Sequence, residues 1–274
     1  MLFEMRACLV AILLAITSIS AEFIGSETKS LRRGDVLKPT SRPLRLIIMR
    51  FCPWCQRVLL ALAHKNISIE VVNVNLSEKP KFLFEKHPDG KVPILEHNNK
   101  VILESGLIIE YLDWTNSTAP VLPNDPFLRA KQRMIAAQLE AKLPAAAYAL
   151  INGQRFPEEK DSSMGMLHEA LRAAEKLLTD TFYGGHEPGF ADYMTYPFVE
   201  RIWIWSHEPG VTNLPVEDFP SPLYPKLQRW FPLMKSRAEV VAASQPLWRH
   251  RLFNKGYVTG NPDYDAGLDL RRHH

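Results

Sequence analysis

The sequence predicts an α/β domain followed by an all-helical one, and three observations carry the prediction. A strand, a helix and a second strand succeed one another within residues 44–74; a stretch rich in Pro and Asn interrupts the chain at 116–126; and beyond it no convincing strand pattern occurs. At 274 residues, 46% of them hydrophobic, the chain can bury two cores. The expected division is a leader over 1–20, an extended segment over 21–43, the α/β domain over 44–115, a linker over 116–126, a helical domain over 127–260 and a tail over 261–274.

Residues 44–49, LRLIIM, form a nearly continuous apolar run, as a strand buried on both faces requires. Pro53 then suits the first turn of a helix, where its missing N–H costs nothing, and Val58, Leu59, Leu62 and Ala63 recur at helical spacing. IEVVNV at 69–74 reads as the second strand, making a right-handed parallel crossover. A short helix is expected over 79–86, then a hairpin of Val92–Leu95 and Val101–Leu103 turning at Asn98-Asn99, then a helix over 105–114. In the second half, Leu167, Leu171, Ala174 and Leu178 mark one helix and Leu227, Trp230, Phe231 and Met234 another. Further helices are expected over 127–150 and 190–205, kinked by Pro144 and Pro197. Segment 21–43, with Lys29, Arg32, Arg33 and Lys38 among two glycines and two prolines, reads as a mobile lead-in, and the tail as frayed.

Residues 7–19 carry no charge and follow Arg6, while Ser18 and Ser20 suit cleavage before Ala21. This is the pattern of a signal peptide, too short for the roughly 20 residues of a spanning helix. Three sequons, at Asn66, Asn75 and Asn116, fit a secreted or lumenal glycoprotein; cytoplasmic residence is the alternative if the leader is unused. A secreted product starting near Ala21 or Glu22 would shrink on enzymatic removal of N-glycans, and an unglycosylated product retaining Met1 would refute this. No other stretch could span a membrane. Lys plus Arg exceed Asp plus Glu by 33 − 30 = 3, which is too little for a nucleic-acid footprint.

Of the three cysteines, Cys52 and Cys55 form Cys-Pro-Trp-Cys between the first strand and its helix. The first-turn N–H groups and the positive helix end face Cys52, stabilising a thiolate, and Arg50 and Arg57 are near enough in sequence to add to the effect. Cys55, one turn on, points inward. Zinc needs about four ligands; the third cysteine, Cys8, lies in the leader and no His-x-x-x-His accompanies the pair, so no metal is expected.

Arg50-Phe-Cys-Pro-Trp-Cys-Gln-Arg57, Asn75-Leu-x-x-Lys79-Pro, Lys91-Val-Pro-Ile-Leu95, Leu103-Glu-Ser105, Glu110-Tyr-Leu-Asp113 and Phe198-Val-Glu-Arg201 together resemble omega-class glutathione transferases. The resemblance implies a thioredoxin-like domain (βαβαββα) joined to an all-helical one, a homodimer, and glutathione as cosubstrate. It implies that Cys52 forms a mixed disulfide with glutathione during thiol transfer to a small electrophile or disulfide, or reduction of dehydroascorbate. Pro93 would be cis, presenting the Val92 backbone to the tripeptide. Glu104 and Ser105 would hold the γ-glutamyl end, and Lys79 the glycyl carboxylate. Trp54 and Arg201 are candidates for the substrate cleft. Singly, Val92 and Pro93 also suit a hairpin entrance, Ser105 a helix cap and Lys79 a solvated charge; in this order, after a Cys-Pro helix start, they favour binding. Two departures stand out. Cys55 makes the motif glutaredoxin-like, as a candidate resolving thiol, and Gly189-Phe-Ala-Asp192 replaces the usual Ser/Thr-x-x-Asp cap. The alternative reading is non-enzymatic: a protein like the chloride intracellular channels, which share the fold, or a glutathione-binding protein.

Overall fold

The computed structural model describes residues 21–268. The leader, with Cys8, and the last residues of the tail lie outside the described residues.

The α/β half contains β1 (Phe23–Ile24), β2 (Leu44–Ile48), α1 (Pro53–His64), β3 (Ile69–Asn73), α2 (Lys81–Lys86), β4 (Ile94–His97), β5 (Lys100–Ile102) and α3 (Ser105–Thr115). They form one mixed sheet in the order β1-β3-β2-β4-β5. β2 lies parallel to β3, with Leu46 opposite Val71, and antiparallel to β4, with Leu46 opposite Leu95. Its alternating side chains serve two faces: Leu46 and Ile48 enter the main core with α1 and α3, while Ile47 packs with Phe82 and Leu83 of α2. That division explains the unbroken apolar run, because β2 is covered on both sides.

The helical half contains α4 (Pro126–Glu140), α5 (Leu143–Arg155), a 3₁₀ turn (Pro157–Glu159), α6 (Lys160–Leu177), α7 (Phe190–Ser206), α8 (Pro225–Lys235), α9 (Ala238–Ala243) and α10 (Leu247–Val258). A thioredoxin-like α/β half is thus followed by an all-helical one, as the motifs implied. α7 is buried nearly all round, packs against α1, α4 and α5, and so joins the two halves.

Three expectations differ from the structure. The helix expected over 127–150 is two, because Pro144 sits in the first turn of α5, where a proline starts a helix more readily than it kinks one. Segment 21–43 is not a free lead-in. β1 extends the sheet beside β3, Leu31 bridges to Val74, and the Arg50 guanidinium donates to the carbonyls of Ser26 and Thr28 at 3.1 and 2.7 Å. The described part of the tail is also docked rather than frayed: Arg50 donates to Tyr264 O at 2.7 Å, Arg249 to Gly267 O, and Ala266 is fully buried. Sequence composition favoured mobility in both segments; two arginines remote in sequence supply the partners that composition does not show.

Candidate active site

The β2–α1 turn places Cys52 at the N-cap of α1, with φ −74° and ψ 123°, and Pro53 opens the first turn. No side chain caps this helix end, so its N–H groups remain for the sulfur. Burial opposes ionisation of Cys52, but the Cys55 side chain, the N–H groups of Cys55 and Trp54, and the charge of Arg201 outweigh it and lower the pKa. Cys55 behaves oppositely. Burial, its hydrogen bond to Cys52 and the Cys52 charge hold its pKa well above the ordinary thiol value. The turn therefore favours the thiolate at Cys52 and the thiol at Cys55.

The positive charges are not distributed as expected. Arg50 faces away, toward the N-terminal segment and the tail. Arg57 is engaged by Glu140, donates to Met194 O at 2.8 Å and to Ser105 Oγ at 3.4 Å, and is buried. Arg201, from α7, fills the place expected of Arg50: its guanidinium donates to Phe51 O from Nε at 3.4 Å and Nη2 at 3.2 Å, next to the Cys52 turn.

A cleft of about 740 Å³ opens over Cys52 between the two halves. Lys79, Val92, Pro93, Glu104 and Ser105 line its α/β wall, so the sequence-predicted glutathione residues converge there. The Val92–Pro93 bond is cis, as the resemblance implied. Glu104 adopts φ +64°, a conformation that costs a non-glycine residue about 1–3 kcal/mol and tends to persist where the surroundings enforce it. It brings Ser105 to the first position of α3, where free N–H groups favour an anion. Lys79 sits at the rim, donating to Asp89 O at 3.2 Å.

The opposite wall is helical. Trp54 stacks on Tyr148 at 6.0 Å, meets Phe198 edge-on at 5.0 Å, and donates through Nε1 to Glu140 Oε1 at 3.1 Å. Arg201 lines this wall with Tyr148, His250 and Tyr257. Burial, then the Cys52 charge, raises the Tyr148 pKa, so its phenol stays protonated. Burial, then Arg201, pushes His250 well below the usual histidine value, leaving a neutral ring. Cys55 does not line the cleft.

The sequence missed Tyr148, His250 and Tyr257, because α5 and α10 carry no motif. Glu140 was missed too; its carboxylate ties Trp54 and Arg57 together. The three sequon asparagines stay off the cleft lining. Asn66 is exposed after α1, Asn75 Oδ1 accepts from the N–H groups of Ser77 and Glu78, and Asn116 Oδ1 from that of Thr118. Among the described residues, no group of His, Cys, Asp or Glu could hold a metal, and no helix is long and apolar enough to cross a membrane.

Residues 46–120 match the family model for the glutathione S-transferase N-terminal domain, and 145–231 that for the C-terminal domain. The chain is 39% identical over 249 residues to glutathione transferase omega-1 of Caenorhabditis elegans, covering 89% of this chain and 98% of that protein. It is 35% identical to glutathione S-transferase omega-1 of Mus musculus, with 89% and 99% covered. Among solved structures, that of rice GST1 in complex with glutathione superimposes with a TM-score of 0.70 at 25% identity, covering 80% of this chain and all of that one.

Proposed function

Because this chain belongs to the glutathione transferases, and within them to the omega class, we propose that it carries out glutathione-dependent thiol transfer and dehydroascorbate reduction with Cys52 as nucleophile. The observation that carries the reading is the position of Cys52: a sulfur of lowered pKa at a helix start, in the same cleft as Val92, Pro93, Glu104 and Ser105. The Val92 backbone beside cis-Pro93 pairs with the tripeptide, Ser105 and the α3 N-terminus take its γ-glutamyl carboxylate, Glu104 its amine, and Lys79 its glycyl carboxylate.

In thiol transfer, the Cys52 thiolate attacks the glutathione sulfur of a mixed disulfide. The Cys52–glutathione bond forms and the substrate thiolate leaves. A second glutathione thiolate then attacks the bound glutathione sulfur, oxidised glutathione departs, and the Cys52 thiolate is restored. With dehydroascorbate, the thiolate adds to a carbonyl carbon; a glutathione thiolate attacks the Cys52 sulfur, the C–S bond breaks and the substrate takes up protons and leaves as its two-electron-reduced enediol, and a second glutathione releases the Cys52 thiolate from the resulting mixed disulfide as oxidised glutathione. Trp54, Tyr148 and Arg201 form the acceptor wall, and the protonated Tyr148 phenol can donate to a developing oxyanion.

The active form we propose is a homodimer. The signal-like leader and the three sequons support a secretory destination. Cys52→Ser should reduce thiol transfer to background while the thermal unfolding midpoint is kept; full activity in that variant would refute the mechanism.

A further inference from the structure

Cys55 has no part in the scheme above. Cys52 is the N-cap of α1 and Cys55 its third residue, so the two side chains lie on one face of one turn. Only Cys52 lines the cleft; Cys55 is 1% exposed and lies behind it. The two are the free cysteines among the described residues. The sulfur within reach of Cys55 is thus that of Cys52, and a dissolved disulfide meets Cys52 first.

We propose that Cys55 is a resolving thiol gated by the oxidation of Cys52, giving this chain a dithiol disulfide-reductase activity toward bulky disulfides in addition to glutathione transfer. The inference rests on the proposed Cys52 chemistry and extends it. In the reduced site, burial, then the hydrogen bond to Cys52 and the Cys52 charge, keep the proton on Cys55. Once Cys52 enters a mixed disulfide, its charge and its acceptor are gone. The Met49 backbone and the Arg201 charge, which favour the Cys55 thiolate, remain. Burial still favours the Cys55 thiol, but two of the three causes that hold its proton are released when Cys52 is blocked, and the sulfur it then faces on the same turn has become electrophilic.

The electrons balance through four exchanges. The Cys52 thiolate attacks a disulfide R–S–S–R′, forming Cys52–S–R and expelling R′S⁻. Cys55 loses its proton to solvent and attacks Cys52 Sγ; the Cys52–Cys55 bond forms and RS⁻ leaves, taking up a proton. The substrate has gained two electrons and the cysteine pair has lost two. Glutathione, the cosubstrate already proposed, resets the pair: one thiolate opens the bond at Cys52, a second removes the first as oxidised glutathione, and both cysteines return. The route matters when R is a folded protein. Such an adduct fills the cleft that a second glutathione must enter, whereas Cys55 attacks from inside the fold.

The test uses the full-length reduced chain, treated with one equivalent of oxidised glutathione and followed by intact mass and peptide mapping. Wild type should lose the mass of two hydrogens, with the bond mapped between Cys52 and Cys55 and glutathione released. Cys55→Ala, or Cys55→Ser if alanine impairs folding, should trap one glutathione on Cys52. A wild-type adduct as persistent as that of the variant, or a bond mapped to Cys8, would overturn the proposal. A Cys55 variant that acquires no adduct would instead refute the Cys52 nucleophile itself, so the two failures are distinguishable.

Discussion

At the scale of single residues, the chemistry depends on how one sulfur is separated from another on the same turn. Cys52 and Cys55 share a helix start, yet only Cys52 faces the cleft, and the Cys55 side chain followed by the N–H groups of the first turn lower its pKa against burial, while burial raises that of Cys55. A thiolate nucleophile makes the rate rise with pH through its pKa. Because that pKa is lowered, the acid limb should lie below that of an unperturbed thiol. Arg201→Met removes a charge that favours the thiolate, so the limb should move to higher pH, with activity lost near neutrality and recovered in alkali. A pH–rate profile checks this; uniform loss at every pH would leave Arg201 a merely structural role. The motif around Cys52 was legible because its residues are contiguous. The role of Arg201 was not, because it joins Phe51 across 150 positions of sequence and nothing local marks the contact.

At the scale of elements, α7 and α10 show where pattern reading succeeds and fails. Gly189 caps α7 without a side-chain acceptor, and the deficit is made good from another helix. Gln132 of α4 accepts from the Ala191 N–H through Oε1 at 3.0 Å, in space that a Cβ on residue 189 would enter, 2.6 Å from Gln132 Nε2. The Asp192 carboxylate, pushed up to about 6 by burial, accepts from the N–H groups of Tyr183, Gly184 and Gly189 and from Trp230 Nε1, at 2.7–2.9 Å. Asp192→Ala strands these four donors and should cost about 3 kcal/mol or more, read as a lowered urea midpoint; an unchanged midpoint would mean that the donors find other partners. α10 escaped the sequence reading because its pattern is inverted. Its buried face is Arg249, His250, Phe253 and Asn254, while Trp248 and Leu252 are exposed. A search for apolar periodicity finds the wrong face of such a helix. The helix nevertheless supplies His250, Phe253 and Tyr257 to the cleft.

For the whole molecule, the two ends of the described chain meet at the α/β domain. Arg50 holds the N-terminal segment and Tyr264 together, and Arg249, fully buried, pairs with Glu27 at 2.7 Å while donating to Gly267 O. A second large-scale feature is apolar surface on α3 and α4, which the Arg133–Glu110 ion pair at 3.2 Å links. Leu107, Trp114, Phe127 and Met134 are each at least half exposed there. Uncovered apolar surface of this kind marks an interface, and the proposed homodimer would bury it. Sedimentation should give a dimer, and Leu107→Glu with Trp114→Glu a monomer; a monomeric wild type would refute the assignment. The sequence by itself determined the order of the α/β and helical halves, the buried central strand, the Cys-Pro helix start and the short motifs that come to line one wall of the cleft, because each rests on neighbours within a few positions or on a local periodicity. Only the tertiary structure decided which arginine faces Cys52, what replaces the missing α7 cap, and how the terminal segments are held. These depend on contacts between elements far apart in the chain, and local pattern carries no record of which remote groups packing will bring together.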